Sequence, residues 1–509
     1  FPFFFFLIFM PFFFLLWTPS VDEMHRKVFV LSVPLVCFLL VTASLYLGRD
    51  HITRLSEAYL PLHAPSSLKT TSTETISLPL STTSVLDDSP VIEEPPSYST
   101  LDTYTTSTIE VHTTPTISST TSAAPSPTIT KSAIPIANGS VLSTERIAPY
   151  IHAILDPTSK ERPRLQCPPL DTKRYKDLQK KKDTRGGKND EHPIDFFFAL
   201  NLRNVVGLLP RLMGSIVEAI QFLGPERCAL SIVEGNSPDG TADVLVALRP
   251  FLEELGITYF YNNSAINPSK GPRIRKLAQL RNLALEPLFK KKVPAADDTT
   301  VLFINDVAAC PDDLLELALQ RRKLNADMTC AMDFTYAGPD PTFYDVWVAR
   351  TLAGDTFFPI PEDGSWDNAW DLFRGNREAR MRYDAHLPFQ VFACWNGATA
   401  FSAAPILSGL RFRDPKKDEC FQGEPQLFCK DLWHKGYRKI AVVPSISLEY
   451  TDARGKDIKK LKGFTNEVIQ HMEEDKAHIE WQYEPPEKVK CMPSFDRQTW
   501  LPWDESLKR

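Results

Sequence analysis

DFFFALN at residues 195–201, CALSIV at 228–233, ITYFY at 257–261 and TVLFI at 300–304 are compact apolar runs, each followed by a longer stretch with apolar residues at helical spacing. The helical stretches lie at 208–223, 241–255, 273–289 and 311–324. Short runs without polar alternation read as strands covered on both faces, whereas a 3.6-residue spacing gives helices with one buried face. This strand–helix alternation predicts an α/β domain with a mainly parallel central sheet flanked by helices. In such sheets ligands bind beyond the carboxyl ends of the strands, so the residues that follow each run are the ones to search.

Outward from this core the composition changes. The domain is expected to span 193–465, leaving 466–509 as a C-terminal extension. The lysine-rich stretch 173–192, with Gly186-Gly187, reads as a solvated linker. From about residue 65 to 148 the chain is rich in Ser, Thr and Pro; it cannot bury enough apolar surface to offset its ordering entropy and resembles an O-glycosylated stalk. Residues 51–192 are therefore expected to form a stem. Asn138-Gly-Ser140 and Asn262-Asn-Ser264 are sequons, which matter in a lumenal protein.

Residues 28–47 are apolar over about the length that crosses a bilayer. Arg26 and Lys27 precede them, which holds that side in the cytosol and sends the remainder across. Residues 24–50 thus predict the signal anchor of a single-pass type II membrane protein. The phenylalanine-rich start precedes Met24, and 1–23 is read as lying before the biological start or as an extra apolar segment. A net charge of -6 over 509 residues excludes the basic surface that a nucleic-acid partner demands. Nine cysteines without a CxxC pair exclude a zinc ribbon. Eight of them, from Cys167 to Cys491, could pair in an oxidising lumen, with Cys420 and Cys429 plausible partners.

Two strand ends carry chemistry. After the second run comes Glu234-Gly-Asn-Ser-Pro-Asp-Gly-Thr241, which places Glu234 and Asp239 where they could accept hydrogen bonds from a ribose or base. A tight turn with Thr241 as helix N-cap accounts for Asp239 to Thr241 but not for a carboxylate directly after a buried strand. After the fourth run comes Asn305-Asp306-Val307. A carboxylate here can hold Mn²⁺ or Mg²⁺ between two phosphates. Asp312 and Asp313 follow Pro311 in a first helical turn, where the helix dipole favours acids, and are set aside as ligands.

The order of these pieces resembles the GT-A fold of nucleotide-sugar-dependent glycosyltransferases. A closer resemblance, over about residues 196–450, is to the fungal capsule-associated α-1,3-mannosyltransferases (glycosyltransferase family 69, the cryptococcal mannosyltransferase family). It is carried by Ser231-Ile-Val-Glu234, Leu280-Arg-Asn282, Leu302-Phe-Ile-Asn-Asp-Val307, Ala331-Met-Asp-Phe334 and Tyr344-Asp-Val-Trp347. Cys394-Trp-Asn-Gly397, Arg411-Phe-Arg413 and Cys420-Phe-Gln-Gly-Glu424 continue it in the same order.

The resemblance implies a Golgi enzyme that transfers mannose from GDP-mannose to a mannoside or oligosaccharide acceptor, in α-1,3 linkage and with retention, using Mn²⁺ or Mg²⁺ in fungal glycan or capsule synthesis. The family's metal motif is usually Asp-x-Asp; this chain offers Asp306 as the metal ligand, beside Asn305. Glu234, Asp239, Arg281, Asn282 and Asn305 are expected at the nucleotide-sugar. Arg281 could pair with phosphate or be an ordinary helix-surface arginine. Glu424 resembles the carboxylate held near the acceptor hydroxyl, with a dipole-favoured helix acid as the alternative. It is grouped with Asp333 as catalytic. Asp345, Trp395 and Asn396 are expected at the acceptor, Trp395 reading equally as a sugar platform or a buried tryptophan. The competing reading is a non-catalytic member of the same fold that binds glycans or scaffolds polysaccharide assembly or export.

Overall fold

The computed structural model describes residues 134–179, 193–338 and 340–507. The apolar start, the signal anchor at 24–50, the stem before residue 134 and the linker residues 180–192 lie outside the described residues. No helix among the described residues is long and apolar enough to cross a membrane.

In chain order the elements are α1 (Thr144–Leu155), β1 (Ile194–Leu202), α2 (Leu209–Leu223), β2 (Cys228–Glu234), α3 (Thr241–Glu254), β3 (Thr258–Asn263), α4 (Arg273–Ala284), β4 (Ala295–Ile304) and α5 (Pro311–Lys323). There follow β5 (Met328–Thr335), β6 (Thr342–Phe343), β7 (Arg350–Thr351), α6 (Arg377–Asp384), β8 (Phe389–Ala393), β9 (Ala398–Ser402), α7 (Glu424–His434), β10 (Ile440–Leu448), α8 (Asp452–Lys462), β11 (Lys488–Ser494) and β12 (Arg497–Pro502). The strand order is β3-β2-β1-β4-β9-β5-β10-β8-β7, with β6 folded back on β5. Strands β1 to β4 are mutually parallel. β9 is wedged antiparallel between β4 and β5, β10 runs parallel to β5, and β8 closes antiparallel on β10. The expected α/β class with a largely parallel centre is therefore present.

Strand alternation divides the core. Phe196, Phe198 and Leu200 of β1 enter a cluster with α1, α2, α3 and α5, whereas Phe197 and Ala199 enter a second cluster with aromatic residues from β4, β8 and α7. Helix α5 begins as its sequence dictates. Pro311 opens it, the Asp313 carboxylate accepts from the Cys310 N–H at 2.8 Å, and Arg321, Arg322 and Lys323 sit in its last turn.

Several sequence expectations are corrected. Residues 138–179 belong to the folded unit rather than to a stem: Ile147, Ile151 and Ile154 bury one face of α1 against α2 and α3. Asp243 accepts from the backbone N–H of Ser140, Val141 and Leu142 at 2.7–2.8 Å. Arg174, placed in the solvated linker, is paired with buried Glu316 at 2.6 Å. The C-terminal hairpin β11–β12 is likewise part of the unit, since Val489 and Met492 are core residues. Among the described residues the disulfides are Cys167–Cys310, Cys330–Cys394 and Cys420–Cys491, so Cys420 does not pair with Cys429, which is a buried thiol. The N-cap of α3 is Gly240 at φ 93°, not Thr241.

Candidate active site

β1 leads to β2 and β3 on one side and lies beside β4 on the other, so the chain direction switches between β1 and β4 and opens a crevice at their carboxyl ends. Asn305 and Asp306 leave β4 at this point. Beside them β9 enters, with Ala398 opposite Ile304 and the Asn305 N–H donating to the Gly397 carbonyl at 2.9 Å. Gly397 is required twice over. Its φ is 79°, and a Cβ there would stand 3.1 Å from the Asp333 Cβ and 3.2 Å from Val307 Cγ1. The turn Trp395-Asn396-Gly397 thereby fits between Val307, next to Asp306 at the β4 end, and Asp333 of β5.

Asp306 is half-buried, and its carboxylate accepts no hydrogen bond from another residue among the described residues. Burial pushes its pKa up, against its own N–H and the positive field of Arg281. Asp333 is fully buried; the Tyr450 hydroxyl donates to its Oδ2 at 2.6 Å, while Oδ1 has no partner. Burial first and the neighbouring Asp345 second hold the Asp333 carboxyl well above the usual carboxylate range. Asp345 accepts from the Asn396 N–H at 2.9 Å, and burial pushes it up to about 6. Three carboxyl groups that resist ionising at one sheet edge form the electrostatic signature of a functional site.

Arg281 of α4 faces this cluster. Its Nε donates to Glu424 Oε1 at 2.7 Å, and its guanidinium lies over the rings of Trp395, Phe303 and Phe412, with centroids at 4.4, 5.2 and 5.7 Å. The pair is nearly enclosed, with side chains 12% and 3% exposed. Arg281 is thus neither a surface arginine nor an open phosphate clamp: it positions Glu424 and lends positive charge to Asp306 and Asp345.

The other expected site residues fall into two groups. Trp395 is 1% exposed and Asn396 fully buried, so neither is an acceptor platform. Trp395 Nε1 donates to Asn305 Oδ1 at 3.1 Å and fixes that side chain, while the Asn396 amide donates to the Ala331 carbonyl. Asn282 is likewise structural, exchanging hydrogen bonds with the backbone of Phe412 at 2.8 and 3.0 Å. Glu234 is spent within its own turn, accepting from the N–H of Asn236 and Ser237 at 2.9 Å and from the Ser237 hydroxyl. Asp239 accepts from the Val206 N–H at 3.0 Å and from Thr241. These carboxylates shape the turn instead of waiting for a nucleoside.

No group of three or more His, Cys, Asp or Glu side chains among the described residues is arranged to hold a metal ion. Mg²⁺ and Mn²⁺ do not need one, since a single carboxylate with substrate phosphates and water can complete an oxygen shell. Asp306, unpartnered among the described residues, fits that demand, whereas the carboxamide oxygen of Asn305 accepts from Trp395. Asp312 and Asp313 are not ligands: the Asp313 carboxylate is bonded to Cys310 and Lys459, and Asp312 accepts from the Asp171 N–H. Sequence reading missed Tyr450, Gly397 and Tyr344. Tyr344 and Gly397 lay inside segments that carry the family resemblance but were given no role, and Tyr450 had only the apolar run before it.

Residues 195–431 match the family described as cryptococcal mannosyltransferase 1. The α-1,3-mannosyltransferase CMT1 of Cryptococcus neoformans is 36% identical over 342 residues, which cover 63% of this chain and 70% of that protein. Among solved structures, the mannosyltransferase PcManGT of Pyrobaculum calidifontis, in complex with GDP-Man and Mn²⁺, is 13% identical with a TM-score of 0.31, covering 59% of this chain and 69% of that one. Staphylococcus aureus TarS 1–349, in complex with UDP, is 14% identical with a TM-score of 0.30, covering 50% and 60%. At these scores the structural likenesses are too remote to carry a functional argument.

Proposed function

We infer the reaction from one premise: this chain belongs to the cryptococcal mannosyltransferase 1 family and is a glycosyltransferase. We propose that it transfers mannose from GDP-mannose to a mannoside or oligosaccharide acceptor, in α-1,3 linkage with retention, for fungal glycan or capsule synthesis. We further propose that it does so as a single-pass type II protein of the Golgi membrane with the domain in the lumen. The three disulfides suit an oxidising compartment and support the lumenal reading.

The observation that carries the reading is Asp306, a half-buried carboxylate that accepts no hydrogen bond from another of the described residues, at the switch point of the sheet. Asp306 would hold Mn²⁺ or Mg²⁺, which supplies charge neutralisation on the departing diphosphate. Asn305, fixed by Trp395, sets the direction of the Asp306 backbone. Glu424, bonded to Arg281, orients the acceptor hydroxyl or stabilises positive charge growing at the anomeric carbon. Asp345, the partly exposed acid of the pair, takes a sugar hydroxyl, since a carboxyl that keeps its proton can donate as well as accept, while Asp333, buried beneath it and held by Tyr450, keeps that pair in place.

The test is the full-length protein in a detergent-solubilised membrane fraction, given GDP-mannose, Mn²⁺ and an α-mannoside. Asp306→Ala is expected to lower transfer by about 100-fold or more, the scale of losing a metal's transition-state stabilisation, with an unchanged unfolding temperature. Full transfer by that variant would remove Asp306 from the chemistry.

A further inference from the structure

Beyond Asp333 the edge of the sheet holds an aromatic surface that the roles above do not use. After β5 the chain doubles back, pairing Phe343 with Phe334, and the Tyr344 N–H donates to the Asp333 carbonyl at 3.1 Å. On the other side β10 places Leu448 opposite Asp333 and delivers Tyr450, whose hydroxyl donates to Asp333 Oδ2. The two rings meet edge to face with centroids 4.9 Å apart. Tyr450 is the inner ring. Tyr344 is the outer one, and it is 44% exposed although it adjoins a fully buried aspartate.

Along the carboxyl edge the order is the β2 turn, Asp306 after β4, Gly397 before β9, Asp333 on β5 and Tyr450 after β10. Asp306 and Asp333 are two strand spacings apart along the edge, about 10 Å, longer than one hexose, so the tyrosines lie on the far side of Asp333 from the diphosphate end. A ring beyond the transferred sugar would meet the acceptor. Sugar rings present C–H faces that pack on aromatic rings, with their hydroxyls left free for carboxylates and amides at the rim.

We propose that the exposed ring of Tyr344, braced edgewise by Tyr450 beside Asp333, is the platform on which the acceptor's sugar ring stacks. This rests on the mannosyltransferase reading for the identity of the sugar. Tyr450 is a positioning residue in this arrangement: it fixes Asp333 through its hydroxyl and Tyr344 through its ring.

Two measurements on full-length protein test it. In transfer assays Tyr344→Ala is expected to raise the acceptor KM roughly tenfold while the donor KM, acceptor-independent hydrolysis of GDP-mannose and the unfolding temperature stay at wild-type values. Tyr344→Phe and Tyr344→Trp are expected to restore the acceptor KM, because the ring and not the hydroxyl makes the surface. The second measurement is saturation-transfer NMR with α-1,3-mannobiose and no donor. It is expected to show binding by the wild type and its loss in Tyr344→Ala. Ring-dependent binding without any transfer would leave the platform standing and overturn the reaction. An unchanged acceptor KM in Tyr344→Ala, a shift in donor KM instead, or no binding of the mannobiose by the wild type would overturn the platform.

Discussion

Glu234 and Asp333 are both carboxylates without exposed surface at the same edge of one sheet, Glu234 closing β2 and Asp333 near the end of β5. Glu234 accepts three hydrogen bonds from its own turn. Asp333 accepts a side-chain bond from Tyr450 alone, leaves Oδ1 bare and faces a second acid. A buried polar atom without a partner costs about 1–3 kcal/mol, and at Asp333 that cost falls beside a second acid at the carboxyl edge of the sheet. The acidic turn after β2 is finished architecture. The cluster after β4 and β5 is unfinished, and that is where chemistry belongs.

The sharpest way to break this comparison is to remove the cluster's positive charge. Arg281→Ala leaves Glu424 buried without a partner and is expected to destabilise the fold by about 3–5 kcal/mol in chemical denaturation. Arg281→Lys is expected to recover only part of this, since a lysine cannot both pair and lie flat across three rings. A fully stable Arg281→Ala would mean that the cluster does not depend on Arg281. Next comes Glu234→Ala, expected to destabilise by about 2 kcal/mol through the orphaned N–H groups of Asn236 and Ser237, with GDP-mannose affinity kept in the folded fraction. An unaltered unfolding temperature together with lost donor binding would reverse the assignment and make the turn part of the chemistry.

The smallest effect has the opposite sign. Because folding raises the Asp345 pKa from the usual carboxylate value to about 6, native protein holds this proton more tightly than the unfolded chain. Stability therefore falls as pH rises from about 4 to about 6 and is level above that window. Asp345→Asn removes the loss and should gain about 1 kcal/mol at pH 7, below the full linkage value because the partly exposed side chain is screened. The gain should vanish below about pH 4. Urea midpoints of both proteins at pH 4 and pH 7 measure it, and equal differences at the two pH values would show that Asp345 is not strained by its surroundings.

The parallel half of the fold was legible because it is local. Residues 195–201, 228–233 and 311–324 lie within two residues of the observed β1, β2 and α5, where apolar runs and a Pro-Asp-Asp start specify each element without help from distant chain. The site was legible only as a set of strand ends. Asp333 and Asp345 adjoin and Asp306 lies on the same sheet edge, but the sequence could not show that Gly397 and the left-handed Asn396 turn Trp395 inward, beneath Arg281. The Cys420 partner was missed for a related reason: Cys429 is near in sequence, while helix α7 points it at the Cys394 carbonyl and the true partner arrives on β11. The stem boundary had a readable signal in Ile147, Ile151 and Ile154 at helical spacing, hidden by the hydroxyl-rich stretch before them.

The wedge of β9 between β4 and β5 has a consequence for biogenesis. A ribosome delivers β4 roughly ninety residues before the strand that covers its far edge. At about 5–20 residues per second, Val301 and Phe303 stay on an open strand edge for some seconds to tens of seconds. An unpaired apolar edge is a template for joining other nascent chains. Until Ala398–Ser402 emerges, a chaperone rather than the sheet itself must guard that edge, and a truncation anywhere between the two strands would yield a sticky product instead of a smaller enzyme.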